Sequence, residues 1–163
     1  MDIVTVDRID TAHPVLRSEL HLLYVQSLEL DINVRFTSVF RSFNEQNNLY
    51  SIGRRGVKGE RKVTNAKGGQ SYHNQGLAFD ICLLLDNGRS VSWDRTADLD
   101  NDGKADWMEF VHLAKSHGYE WGGDWRFKDY PHFQKTFGYH WSELQKLEKD
   151  EEGYPIIRID EPY

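Results

Sequence analysis

The chain of 163 residues has one cysteine, Cys82, so no disulfide can form within it. That excludes a small fold stapled by disulfides and fits folding in a reducing compartment. Proline is scarce, at four residues, and no Pro/Ser-rich linker, internal repeat or low-complexity tract divides the sequence. One domain over residues 1–163 is expected, long enough to bury a real core. No apolar run approaches the roughly 18–20 residues that cross a bilayer, which excludes a transmembrane helix and stable membrane insertion. The opening MDIVTVDRIDTAHP lacks a basic stretch followed by an apolar one, so no signal peptide is expected. Surplus positive charge is also missing. Twenty Lys and Arg against 26 Asp and Glu leave a net charge of −6, which argues against a broad grip on nucleic acid. Aromatics, by contrast, are plentiful: 5 Trp, 8 Tyr and 8 Phe supply large side chains for a core.

Apolar residues at Val15, Leu16, Leu20, Leu22, Leu23, Val25 and Leu28 predict an amphipathic helix over 14–30, with Pro14 in its first turn. The β-branched and aromatic stretch Val34 to Phe40 predicts a strand. Arg41 to Ile52 reads as a second helix, with Ser42 as N-cap, Glu45 completing a capping box and Gly53 ending it. Residues 53–70 are a basic loop carrying Arg54, Arg55, Lys58, Arg61, Lys62 and Lys67. Leu77 to Leu85 predicts a buried strand, and 86–107 a loop that opens on the turn Asp86-Asn87-Gly88. Trp107 to His117 has helical spacing and stops at Gly118. Pro131 to Gln134 enters a last strand, and Trp141 to Lys149 a last helix before a polar tail. Helices and strands mix without a βαβ rhythm, so the fold class is α+β.

Ser71-Tyr72-His73-Asn74-Gln75-Gly76-Leu77-Ala78-Phe79-Asp80 is the most informative segment. His73 lies at a loop end, and Asp80 interrupts an apolar strand, where a carboxylate is costly unless paired, hydrogen-bonded or bound to metal. Gly76 lets the chain turn so that both side chains can face one centre. A buried aspartate satisfied by backbone amides beside an ordinary loop histidine remains the alternative. Downstream, Asp129-Tyr130-Pro131-His132-Phe133-Gln134 supplies a second histidine on a stiffened approach. Two histidines and one carboxylate make a frequent catalytic zinc set with a fourth position for water. Asp129 could then take a proton from that water, or be a solvated loop carboxylate.

Asp98 to Glu109 (DLDNDGKADWME) matches the twelve-residue calcium loop at every ligand position. Asp98, Asp100 and Asp102 hold positions 1, 3 and 5, Gly103 makes the turn, and Lys104 offers its backbone carbonyl. Asp106 and Glu109 complete the set. A solvated acidic loop is the alternative, though five carboxylates in twelve residues repel strongly. The segment before Asp98 does not resemble an entering helix, so a lone calcium loop is expected rather than a paired EF-hand.

Together, Ser71-x-His73-x-x-Gly76-x-Ala78-x-Asp80, Trp121-Gly122-Gly123 and Asp129-x-Pro131-His132-Phe133 resemble the zinc peptidases of bacterial cell wall. That family includes VanY-like D-Ala-D-Ala carboxypeptidases and the L-alanyl-D-glutamate endopeptidases of phage endolysins and sporulating bacteria. Thr37-Ser38-x-Phe40-Arg41-Ser42-x-x-x-Gln46 and Val63 to Gly69 extend the resemblance to about residues 11–136, leaving a polar C-terminal extension. It implies a small antiparallel sheet carrying zinc, packed against helices, as in hedgehog and D-Ala-D-Ala peptidase folds. It further implies zinc on His73, Asp80 and His132, Asp129 as general base, and Arg41 stabilising the oxyanion. Ser71 is expected to support the ligands, and Trp121 to line the cleft or pack in the core. Cys82, on the Asp80 face of its strand, is expected to fill the core.

The expected activity is hydrolysis of peptidoglycan stem peptides at the L-alanyl-D-glutamate bond, stabilised or regulated by calcium. The alternatives are a D-Ala-D-Ala or related carboxypeptidase, or a non-catalytic zinc and calcium module that binds peptidoglycan. A monomer is expected, acting on the wall as a phage or prophage lysis enzyme released by a holin-type route.

Overall fold

The computed structural model describes residues 1–159. It begins with a helix that the sequence pattern does not announce, α1 (Ile3–Ile9), too short to persist alone in water. Tertiary contacts hold it. The Asp2 carboxylate caps its N-terminus, accepting from Thr5 N–H at 3.1 Å and Thr5 Oγ1 at 2.8 Å. Arg35 donates to the same carboxylate through two nitrogens, at 2.7 and 3.0 Å. That hydrogen bond outweighs burial and holds the Asp2 carboxyl below its ordinary value.

Helix α2 (Pro14–Glu29) follows, burying Leu16, Leu20 and Leu23 along one face. Strand β1 (Val34–Ser38) and helix α3 (Phe43–Ser51) fall where the pattern predicts. The capping box closes as expected: Ser42 Oγ accepts from Glu45 N–H at 3.2 Å, and Glu45 Oε2 accepts from Ser42 N–H at 2.7 Å. After the basic loop come β2 (Ala78–Leu85), β3 (Ser90–Ser92), α4 (Asp106–Ser116), β4 (Glu120–Trp121), β5 (His132–Gln134) and α5 (Trp141–Leu144). β3 and β4 are too short for alternation to signal them. α5 stops earlier than expected because the chain folds back on itself. Lys149 bridges Pro155, and Ile156 N–H donates to Glu148 O at 2.8 Å.

The five strands form one antiparallel sheet in the order β1-β2-β5-β4, with β3 added beside β2. β1 runs along one side of β2, while β5 and β3 share the other, β5 at its start and β3 at its end. Alternation sorts the side chains. Phe36, Phe79 and Phe133 point to one face, their rings stacked 4.6 and 5.1 Å apart, and Phe110 of α4 stands edge-on to all three. The α2 leucines and Trp107, Phe110 and Val111 of α4 complete this core. Each fully buried Phe stabilises the fold by about 1.5–3 kcal/mol relative to exposure. Asp80, His132 and Gln134, interleaved with those phenylalanines, therefore point to the other face. The fold is α+β, a small antiparallel sheet packed on helices, as the sequence leads one to expect. Among the described residues no helix is long and apolar enough to cross a membrane.

Candidate active site

His73 sits in a short 3₁₀ turn, Tyr72–Gln75, that ends on Gly76 at φ +67°. Only glycine fits there: a Cβ would lie 2.4 Å from His13 N and 3.0 Å from the Tyr154 ring. Asn74 ties the turn down, its Oδ1 accepting from Gly69 N–H at 2.9 Å and its Nδ2 donating to Arg41 O at 2.7 Å. Asp80 and His132 come from β2 and β5, where they are directly opposite partners. As a result His73 Nε2, Asp80 Oδ1 and His132 Nδ1 stand 3.2 Å apart in all three pairs. Both histidines are buried.

The remaining ring nitrogens are engaged. His73 Nδ1 lies 2.8 Å from Val39 O, and His132 Nε2 lies 3.0 Å from Gln134 Oε1. A carbonyl oxygen only accepts, so these outer nitrogens carry the protons and the inner ones present lone pairs. Three acceptors so close repel one another unless positive charge lies among them. Burial pushes the Asp80 carboxyl up, but protons taken up by the histidines in place of a metal supply charge and hydrogen bonds that overcome it and hold the carboxyl far below the usual range. Burial pulls His132 down, and the Asp80 carboxylate, together with Gln134 and Asp129, more than reverses that. A tetrahedral ion with bonds of about 2.0–2.1 Å needs ligand atoms about 3.3 Å apart, so this donor set fits one such ion.

The three side chains belong to a cleft of about 510 Å³ whose walls include Arg41, Ser71, Trp125 and Asp129. Asp129 is carried on the turn that leads into β5: its N–H donates to Gly122 O at 3.0 Å, and its carbonyl accepts from His132 N–H at 3.2 Å. The two glycines permit this approach. A Cβ on Gly122 would meet Asp129 O at 2.3 Å, and one on Gly123 would meet the Trp121 ring at 2.2 Å. Solvent reaches Asp129, yet the surrounding protein desolvates its carboxyl and raises it above the ordinary value, an effect that His132, His73 and Arg41 offset only in part. A carboxyl shifted toward neutrality suits proton transfer.

Arg41 lines the same cleft, but its guanidinium is also engaged behind the centre. Nη2 lies 3.4 Å from Asp80 Oδ2 and donates to Ser38 Oγ at 2.9 Å, while Nη1 donates to Gln46 Oε1 at 3.0 Å. It thus backs the outer oxygen of the carboxylate whose inner oxygen faces the histidines. Trp121 lies in the core, not on the cleft wall: it is buried and its Nε1 donates to Tyr130 O at 2.7 Å. Trp125 takes the wall, its ring centroid 5.2 Å from that of His132. Ser71 lines the cleft, but among the described residues no hydrogen bond joins its hydroxyl to the three converging side chains; Val39, Gln134 and Arg41 contact them instead. Sequence reasoning overlooked Trp125 and Gln134. The second was recoverable, because Gln134 lies two residues beyond His132 on a strand and so shares its face. Cys82 is buried and joins no potential ligand cluster among the described residues.

The acidic loop between β3 and α4 also gathers. Asp98, Asp100 and Asp106 each bring a carboxylate oxygen within 4.8 Å of the others, and so do Asp100, Asp102 and Glu109. Asn101 and Gly103 turn the chain at φ +63° and +91°. The Lys104 ammonium bridges Asp102 and Glu109 at 2.8 and 3.1 Å. Asp106 is fully buried; its Oδ1 accepts from Leu99 N–H at 2.9 Å, whereas its Oδ2 and Glu109 Oε2 are buried without a partner. Bare buried carboxylate oxygens are costly, and a hard cation that takes six or more oxygens would satisfy both.

A buried pair of imidazoles and a carboxylate, open on one side to a cleft with a second carboxylate at its mouth, is the apparatus of a metal-dependent hydrolase. A family model described as D-alanyl-D-alanine carboxypeptidase matches residues 64–135. The chain is 48% identical over 120 residues to the peptidoglycan L-alanyl-D-glutamate endopeptidase CwlK of Bacillus subtilis, spanning 73% of this chain and 70% of that protein. It is 39% identical over 78 residues to an L-alanyl-D-glutamate peptidase of a Listeria phage, 44% of this chain but 25% of the phage protein. In fold it is similar to the crystal structure of the L-Ala D-Glu endopeptidase ChiX of Serratia marcescens, with a TM-score of 0.53 and 24% identity, covering 84% of this chain and 90% of that one. The chain belongs to the metallopeptidase family that the matching model and CwlK represent.

Proposed function

We propose that the protein is a zinc peptidase that cleaves the L-alanyl-D-glutamate bond in peptidoglycan stem peptides. The observation that carries the metal is the set of three 3.2 Å separations among His73 Nε2, Asp80 Oδ1 and His132 Nδ1. The L-alanyl-D-glutamate endopeptidase activity of CwlK supports the choice of bond. His73, Asp80 and His132 would hold zinc, which when bound supplies a Lewis acid for the scissile carbonyl and lowers the pKa of water. Asp129 accepts the proton of the attacking water and returns it to the departing amine, a task its raised carboxyl suits. Arg41, on the cleft wall, offsets negative charge developing on the carbonyl oxygen and steadies Asp80. Trp125 gives the peptide an aromatic surface beside His132. A module that only binds wall has no use for Asp129 in that position.

We read the loop from Asp98 to Glu109 as a calcium site that fixes the start of α4. The bare oxygens of Asp106 and Glu109 support this reading. The place of action is the bacterial wall, a reading that the wall-directed activities of CwlK and of the Listeria phage peptidase support.

Digesting purified sacculi and identifying the new termini by mass spectrometry tests the choice of bond. Free amino groups on D-glutamate and free carboxyls on L-alanine are expected. Release of D-alanine alone would establish the carboxypeptidase reading, which the description of the matching family favours.

A further inference from the structure

The two histidines of the centre are oriented by different means. The partner of His73 Nδ1 is a backbone carbonyl, Val39 O, which cannot rotate or exchange its acceptor for a donor. The partner of His132 Nε2 is the side-chain amide of Gln134, whose carbonyl and amino ends are nearly alike in shape. Taken alone, that amide could face the imidazole either way. Presenting its amino group would demand a lone pair on Nε2 and put the proton on Nδ1, at the centre. Such a tautomer could not bind a metal through Nδ1.

Glu120 removes the ambiguity. It lies directly opposite Gln134 in the β4–β5 ladder, and Gln134 Nε2 donates to its Oε2 at 3.1 Å. A carboxylate only accepts, so the amino group must face Glu120 and the carbonyl must face His132. Gln134 is 7% exposed and Glu120 is solvent-exposed on the edge strand, so the relay runs from the surface to the buried centre. We propose that Glu120 and Gln134 are positioning residues: together they fix the tautomer of His132 and so set the affinity of the centre for its metal. This rests on the reading of His73, Asp80 and His132 as zinc ligands.

The test uses the whole chain, stripped of metal and titrated with zinc against a chromogenic chelator, with the visible spectrum of the cobalt form as a second readout. Gln134→Met keeps the volume and removes the acceptor. It should weaken zinc binding about 10–100-fold, the range seen when the orienting partner of a metal-bound histidine is lost. Glu120→Gln, a surface change that leaves the fold intact, frees the amide to reverse and should weaken binding up to about tenfold. Exchanging the pair, Glu120→Gln with Gln134→Glu, puts a pure acceptor against His132 and should restore affinity to the parental value or above. A merely structural role would not predict that rescue. Zinc affinity and cobalt spectra of both single variants within twofold of the parent would overturn the proposal. Absence of zinc binding by the parent itself would instead overturn the ligand assignment on which it rests.

Discussion

Calcium should raise the melting temperature of this protein, and magnesium at the same concentration should not. The reasoning starts at Asp106, fully buried with Oδ2 unpartnered, and at Glu109, whose Oε2 is likewise bare. Lys104 neutralises Asp102 and Glu109 only in part, leaving Asp98, Asp100 and Asp106 facing one another. A cation bound to the native state alone stabilises it by mass action, about 2.7 kcal/mol at a hundredfold excess over the dissociation constant. For a domain of this size 1 kcal/mol moves Tm by about 2–4 °C, so a shift of about 5–10 °C is expected. Magnesium demands a tighter octahedron and sheds water reluctantly, so it should give little. Asp100→Ala combined with Glu109→Ala should erase the shift and leave zinc content intact. Hydrolysis should also rise with calcium, because α4 starts at the loop and its Phe110 packs 5.5 Å from Phe133, the neighbour of His132 on β5. Scanning calorimetry, isothermal titration and a wall-lysis assay measure the three quantities. No binding at millimolar calcium would refute the site. Binding with a Tm shift but unchanged hydrolysis would leave a structural staple and end the regulatory claim.

His73→Ala or His132→Ala should lower bound zinc from about one equivalent to near none and abolish hydrolysis; full occupancy and activity in both would refute the ligand assignment. Asp129→Asn should retain zinc and lose about two to four orders of magnitude in rate, and near-parental turnover of wall peptides would mean another residue is the base. The Asp2 carboxyl is lowered by its bond to Arg35, so its contribution is complete above the unfolded value of about 3.9 and is lost as pH falls through the lower folded value. Asp2→Asn should cost about 1–3 kcal/mol at neutral pH and less as pH falls, so that the two melting curves converge in acid. A cost that stays constant down to pH 2 would remove the Arg35 pair as its source.

Local chemistry made much of the molecule legible in the sequence. The capping box of Ser42 and Glu45 depends on residues three apart, and it forms as expected. The α2 stripe follows from helical period, and the β2 strand from a short apolar run bounded by turns. The spacing of Asp98 to Glu109 likewise implied a gathered acidic loop, because each of its carboxylates is within a few residues of the next. The motif around His73 and Asp80 pointed to one centre for the same reason: a glycine turn and seven residues join them.

Tertiary structure decided whatever depends on residues far apart in the chain. His132 reaches Asp80 because β5 pairs β2 in one register, and a slip of a single residue would turn His132 away from the centre. Whether Trp121 or Trp125 faced the cleft depended on how the loop closes, with Gly122 against Asp129 and Gly123 against the Trp121 ring, not on either residue's character. α1 persists through Asp2 and Arg35, a contact 33 residues long that no helical pattern records. The Glu120–Gln134–His132 relay needs β4 beside β5, and two residues of strand carry no period to announce it. Sequence could specify side-chain chemistry and short-range geometry; register, loop closure and edge pairing were set by the packing of the whole chain.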